Sequence, residues 1–103
     1  MNIIIFVTAP SVREAQKIAH TLVKEKLAAC VNIISGISSV FWWEGKVDSG
    51  KEYLLVIKSK KGKFSKIAKR VKSLHSYQVP EIIAFPIICG EQKYLRWLDD
   101  SLR

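Results

Sequence analysis

The chain has 103 residues, of which 49% are hydrophobic and 25% are charged. This composition is typical of a globular protein and excludes a disordered chain, and the length predicts a single domain over residues 1–103. No stretch approaches the roughly 20 apolar residues that cross a bilayer, so we expect no membrane partner. The net charge of +8 permits weak, salt-sensitive attraction to polyanions but does not by itself indicate a specific nucleic-acid partner.

The first predicted strand is Ile3–Thr8, a nearly continuous apolar run rich in β-branched residues. It begins without a basic segment or a cleavage site, so we interpret it as a strand and not a signal peptide, and we expect a cytoplasmic protein. A helix follows to about Lys26. Ser11 can cap this helix, and Glu14, three residues later, can close a capping box.

A hairpin is predicted next. Its first strand starts at Cys30–Ile34, allows a bulge at Ser35–Gly36, and resumes through Val40–Trp43. Asp48–Gly50 has the composition of a turn. Lys51–Lys58 then returns as the third strand.

The second half of the chain repeats the helix–strand order. Apolar residues at helical spacing predict a helix over Phe64–Leu74. Pro80 lacks an N–H and disfavours a helical residue before it, so the chain must become extended there. Ile82–Cys89 is the fourth predicted strand, and Gly90–Glu91 opens a C-terminal helix. The order βαββαβ plus a helix predicts an α+β, ferredoxin-like split-βαβ sandwich with an antiparallel sheet.

The hairpin from Ile37 to Ile57 carries more apolar surface than one chain can cover. Successive side chains in a strand point to opposite faces, so Phe41 and Trp43 face one way and Trp42 the other. Because the two long helices shield only one face, the second would be a large exposed apolar patch. We therefore expect an oligomer with Phe41, Trp42 and Trp43 in its interface.

The two cysteines, Cys30 and Cys89, lie in apolar segments. In a reducing compartment we expect both to be free and largely buried. No C-x-x-C pair occurs, which argues against a structural zinc site. A thiolate at Cys30 would suit a soft ion such as Cu(I), but its apolar neighbours favour a core residue.

The segment His75–Ile82 places a His, a Tyr and a Glu on one stiff connection between a helix and a strand. Polar residues on such connections are candidate site residues. Neutral imidazole binds copper, nickel and zinc, so His75 is a candidate ligand. A histidine at a helix end can equally bond the last free carbonyls of its own helix, and both interpretations stay open.

The sequence contains no recognised enzyme motif: no G-x-S-x-G, no P-loop, no dinucleotide-binding glycine pattern and no H-E-x-x-H. We therefore predict a protein that is not an enzyme. Among the topologically similar RNA-recognition domains, exposed aromatics on the central strands bind bases. Here the third strand offers only Tyr53, so specific RNA binding is not expected.

His75-Ser76-Tyr77-Gln78-Val79-Pro80-Glu81-Ile82 resembles the H-P-Y-x-x-P-E-I segment of the CutA divalent-cation-tolerance family. Further matches follow the family's order and cover almost the whole chain: Leu27–Ile33, Trp43–Lys46, Glu52–Lys58 and Tyr94–Leu98.

The resemblance implies a homotrimer that functions in divalent-cation tolerance and binds Cu(II) or another divalent cation. It implies metal ligands at His75 and Cys30, and Glu81 is a further candidate as a carboxylate ligand. It also implies a ligand cleft between subunits that involves Glu52, Lys58, Tyr77, Tyr94 and Trp97.

Three departures from the family pattern bear on the metal. Val7 and Leu74 stand where some members carry a Cys and a second His, and Ser76 replaces the usual proline. A copper site of two thiolates and two imidazoles therefore cannot form within one subunit, and we expect only weak binding of a divalent cation. Two alternatives remain, a trimeric module that senses a small metabolite or anion and a structural trimeric scaffold.

Overall fold

A four-stranded antiparallel sheet with three α-helices forms the computed structural model, which describes every residue from Met1 to Arg103. The strands are β1 (Asn2–Ala9), β2 (Cys30–Trp43), β3 (Lys46–Lys60) and β4 (Ile82–Pro86), in the sheet order β2-β3-β1-β4. The helices are α1 (Val12–Lys24), α2 (Phe64–Leu74) and α3 (Gln92–Ser101). The predicted α+β, ferredoxin-like fold is confirmed.

The core lies between one face of the sheet and the helices α1 and α2. Alternate side chains of β1 are buried, as the two-residue period of a strand requires. The same face of β3 contributes Leu55 and Ile57. Against them pack the apolar sides of the two helices, which bury Ile18, Leu22, Ile67 and Val71.

The opposite face of the sheet carries α3 and is otherwise open. Lys58 and Lys60 alternate with the buried residues of β3 and therefore lie on this face. Lys60 Nζ is 3.4 Å from Asp99 Oδ1, and Lys58 Nζ is 5.8 Å from the centre of the Tyr94 ring, so α3 covers this end of β3. Apolar side chains remain exposed beside it, among them Phe85.

The β2–β3 hairpin extends beyond the rest of the sheet as a two-stranded arm, residues 37–52. The last residue of β1, Ala9, pairs with Tyr53, so the part of β3 before Tyr53 pairs with β2 alone. The turn consists of Glu44 and Gly45, with φ of 51° and 76°. Positive φ at both central residues is the type I′ geometry that matches the twist of paired strands.

The prediction of a turn at Asp48–Gly50 is therefore wrong. These three residues pair with Ser39–Phe41 inside the arm. The polar composition that suggested a turn reflects exposure of a two-stranded arm, while the φ > 0 requirement is met by Gly45 instead. The predicted bulge is confirmed, because the register shifts between Ile34 and Ile37.

The last strand and its cysteine also differ from prediction. β4 ends at Pro86, not at Cys89, because Pro86 pairs with Ile3 and β1, which begins at Asn2, offers no residue opposite Cys89 in this register. Both cysteines are free, as expected, but Cys89 is exposed and Cys30 only half-buried. The prediction that both are buried is wrong, most clearly for Cys89. No helix has the length and apolarity to cross a membrane.

The turn geometry makes a testable prediction. Gly45→Ala should lower the free energy of unfolding by about 1–2 kcal/mol, because a Cβ disfavours positive φ by roughly that amount. Gly50→Ala is the matched control. It lies in the same arm without positive φ, and a Cβ there would meet nothing within 4 Å. Denaturant unfolding at fixed protein concentration measures both, and equal losses would contradict this account of the turn.

Candidate functional site

A groove of about 870 Å³ lies where the arm meets the connection that follows α2. The connection supplies Ser76, Tyr77, Gln78, Val79 and Glu81, and β3 supplies Asp48 and Glu52. The rest of the lining comes from the end of β1 and from the aromatic part of β2: Thr8, Ser39, Val40, Phe41, Trp42 and Trp43. The groove therefore combines aromatic and acidic side chains.

His75 stands at the base of this connection, where α2 ends. Its backbone turns extended immediately after the helix, with φ of −86° and ψ of 139°. Its side chain is completely buried. Nε2 is 2.7 Å from the Thr8 carbonyl oxygen, and the Tyr77 N–H donates to Nδ1 at 3.0 Å. His75 thus bonds a free carbonyl, but one that belongs to β1 and not to its own helix.

Tyr77 extends from this anchor to the floor of the groove. Its hydroxyl donates to Glu52 Oε2 at 2.7 Å, and Glu52 is only 9% exposed. Burial raises the pKa of Tyr77 to about 12, and the hydrogen bond to the Glu52 carboxylate adds to the shift because a tyrosinate would be repelled there. The phenol therefore stays a proton donor at neutral pH.

Glu81 is the second carboxylate at this end of the groove. Partial burial raises its pKa, and repulsion from the Glu52 carboxylate raises it further. The two carboxylates give this end of the groove a negative potential. A positive group bound between them would relieve that repulsion.

Glu14 takes part in this site, and the sequence interpretation missed its role. The expected capping box forms only in part: the Glu14 N–H donates to Ser11 Oγ at 3.2 Å. The Glu14 carboxylate turns instead to the connection, where Ser76 N and Ser76 Oγ both donate to Oε2 at 3.1 Å. Oε2 also lies 3.3 Å from His75 Nδ1. A contact between residues so far apart in sequence has no local signature.

The remaining predicted site residues form a separate group near α3. Lys58 Nζ donates to Asn32 Oδ1 at 2.8 Å, and Cys30 Sγ is 3.9 Å from the same oxygen. Tyr94 lies beneath the Lys58 ammonium, and its ring centre is 5.5 Å from that of Trp97. Lys58 lies six positions along β3 from Glu52 in the groove, about 20 Å at ~3.3 Å per residue.

The three predicted metal ligands are not assembled within one chain. Cys30 pairs with Lys58 and hence lies level with Ile4, whereas His75 bonds Thr8, about 13 Å further along β1 at ~3.3 Å per residue. No group of three or more His, Cys, Asp or Glu side chains is close enough to hold a metal ion. The residues of a single chain therefore do not fit the copper site that His75, Cys30 and Glu81 would form.

The Tyr77–Glu52 contact makes the second prediction. Glu52→Gln should move the ionisation of Tyr77 from about 12 toward its ordinary pKa of 10.0, since the charged acceptor is lost. Stability that this phenol contributes is present below pH 10 and is lost as pH rises through its raised pKa. Ultraviolet titration measures the ionisation, with Tyr77→Phe to assign it. Glu44→Gln at the arm tip is the control, and a shift of equal size there would contradict the assignment.

Known proteins with similar sequences identify the family of this chain. The family model for the CutA1 divalent ion tolerance protein matches residues 3–101. The chain is 44% identical to the divalent-cation tolerance protein CutA of Archaeoglobus fulgidus over 99% of both chains. It is 47% and 48% identical to the chloroplastic CutA proteins of Oryza sativa and Arabidopsis thaliana, but it spans only 58% and 56% of their lengths.

Solved structures give the same result. The divalent cation tolerance protein of Thermus thermophilus superposes with a TM-score of 0.96 at 46% identity and 98% coverage of both chains. The Archaeoglobus fulgidus protein, described as periplasmic, superposes with a TM-score of 0.97 at 44% identity over the whole of both chains. The match covers residues 3–101, which include the arm, the connection after α2 and the C-terminal helix. This chain therefore belongs to the CutA1 divalent ion tolerance family.

Proposed function

We propose that this protein functions in divalent-cation tolerance as a homotrimer that binds a divalent cation weakly in the groove. One observation carries the proposal. The groove is lined by Asp48, Glu52 and Glu81 and by no Lys, Arg or His, although the whole chain has a net charge of +8. A basic protein that keeps one cleft free of basic residues favours cations in that cleft and repels them elsewhere.

The groove's donor atoms favour a particular chemistry. Carboxylate, hydroxyl and amide oxygens are the ligands that hard or borderline divalent cations prefer. We assign Glu81 and Glu52 as the cation's ligands, because a cation there would offset their mutual repulsion. A contribution from Cys30, and with it a softer ion such as copper, requires a second subunit, because Cys30 lies outside the groove of its own chain.

Trimer formation would also explain why the predicted site residues fall into two groups. Glu52, Tyr77 and Glu81 lie in the groove, while Lys58, Tyr94 and Trp97 lie about 20 Å away along β3, at ~3.3 Å per residue. The family resemblance implies one cleft between subunits that involves residues of both groups. The groove of one subunit and the α3 group of a neighbour could form such a cleft.

The arm is the proposed interface. A two-stranded hairpin is at best marginally stable by itself in water. Trp42 is 75% exposed, and its cross-strand partner Val47 is 61% exposed. Phe41 and Trp43 remain partly exposed on the other face. Covering such side chains contributes roughly 1.5–3 kcal/mol each when burial is complete.

The metal assignment predicts that Glu81→Gln weakens binding of Mn(II) and Cu(II) by about tenfold, because loss of one interaction worth ~1.4 kcal/mol has that effect. Asp100→Asn is the control, an exposed carboxylate on α3 outside the groove. Isothermal titration calorimetry measures both. Unchanged affinity in the Glu81 variant would place the metal elsewhere, and no binding by the wild type would favour the structural scaffold.

The interface assignment predicts that Trp42→Lys reduces the oligomer size and the stability together. Val23→Lys is the matched control, since Val23 is also exposed but lies at the end of α1, where the chain returns to Lys58 at the other end of β3 from the arm. Analytical ultracentrifugation at micromolar concentration measures the assembly. A wild-type protein that sediments as a folded monomer would refute the trimer, as would a Trp42 variant that stays fully assembled.

The small-anion alternative gains no support from the groove, whose three carboxylates would repel an anion. The tight two-residue turn also lacks the long loop with which trimeric signal proteins bind metabolites. The cytoplasmic location remains a prediction from the sequence.

A further inference from the structure

The His75 imidazole has both ring nitrogens engaged and no exposed surface. Nε2 is 2.7 Å from the Thr8 carbonyl oxygen, and Nδ1 is 3.0 Å from the Tyr77 backbone nitrogen. The side chain is 0% exposed. A metal ligand needs a free lone pair that faces the metal, so these two contacts decide what the ring can do.

The two partners together determine the protonation of the ring. A carbonyl oxygen can only accept, so Nε2 must carry a hydrogen. A backbone N–H can only donate, so Nδ1 must not carry one. The imidazole is therefore neutral, with its hydrogen on Nε2 and its one lone pair already accepting from Tyr77. To bind a cation, the ring would have to leave a buried backbone group without a partner.

Glu14 is the charged group that faces the ring from α1. Its Oε2 lies 3.3 Å from Nδ1. The same oxygen already accepts from Ser76 N and Ser76 Oγ at 3.1 Å each. Glu14 therefore holds Ser76, the residue between His75 and Tyr77, while Nδ1 accepts from the Tyr77 N–H.

These contacts attach the connection to the scaffold at successive residues. His75 attaches to β1 through Thr8, and Ser76 attaches to α1 through Glu14. Tyr77 is then directed at the Glu52 carboxylate, 2.7 Å away in the groove. The imidazole lies between the main chain of β1 and the main chain of Tyr77, so its position determines where the phenol lies.

We propose that His75 is a positioning residue of the groove and not a metal ligand: a neutral imidazole that bridges β1 to Tyr77 and so holds the phenol on Glu52. The protonation state follows from the contacts alone. The effect on cation binding rests on the proposed function, because it takes the groove as the cation site.

Nitrogen-15 NMR of the wild-type protein tests the protonation state without any metal. We expect His75 in the neutral tautomer with hydrogen on Nε2. His20, which is exposed on α1, is the internal reference in the same spectrum. A protonated His75, or one with its hydrogen on Nδ1 alone, would overturn the inference at neutral pH.

Addition of Zn(II), a diamagnetic probe, tests the role in binding. We expect the carboxyl carbon of Glu81 to shift while both ring nitrogens of His75 keep their positions. Movement of a His75 ring nitrogen to the position of a ligated imidazole would overturn the inference. If neither residue responds, the proposed cation site fails, and the metal-free spectrum still decides the role of His75.

Two substitutions separate positioning from ligation. In His75→Asn the amide oxygen lies near the place of Nδ1 and can accept from the Tyr77 N–H, whereas His75→Ala removes this acceptor. We expect calorimetry to show cation affinity within about threefold of wild type for the Asn variant and a loss of about tenfold for the Ala variant. Equal losses in both would indicate a ligand, and no loss in either would exclude a positioning role. If the Ala variant does not fold, the Asn variant and the wild-type spectra still decide.

Discussion

β3 is 15 residues long, while its neighbour β1 has eight. This difference in length determines where the arm and the groove lie. Over the shared length, β1 and β3 form the centre of a sheet that α1 and α2 cover on one face. Beyond Ala9 the ladder of β1 ends, and β3 continues with β2 alone as the arm. The groove forms at this step, because the connection after α2 meets the arm where β1 stops. A sheet of equal strands would have neither feature.

Basic and acidic side chains are segregated between the two ends of β3. Between Lys58 and Lys72 the chain carries basic residues and no acid, and these positions lie at the far end of β3 and along α2. The groove carries carboxylates and no base. In a chain of net charge +8, such segregation gives the groove a more negative local potential than the basic surface of α2. Glu25, which follows α1, forms an ion pair with Arg70 of the basic helix α2 at 2.9 Å.

Local patterns predicted most of the fold. Apolar spacing located α1 and α2, Ser11 marked the start of α1, and Gly36 marked the bulge in β2, because each signal depends on residues only a few positions apart. The errors occurred where local signals conflict. Asp48–Gly50 resembles a turn, but Glu44 and Gly45 adopt the positive φ that closes the hairpin. The exposed hairpin is polar for the same reason that a turn is polar, so composition alone could not choose between them.

The features of the candidate site also fall into those that the sequence predicted and those that only the fold revealed. By itself the sequence determined the elements, the positions of Tyr77, Glu81 and Glu52 as site candidates, and the membership of a family whose order of segments it shares. Only the tertiary structure decided what His75 contacts, because Thr8 and Glu14 lie 67 and 61 positions away in sequence, and no spacing rule links them. The tertiary structure also put Cys30 in another part of the sheet from His75, since strand register, and not the identity of the side chains, sets the distance between two potential ligands.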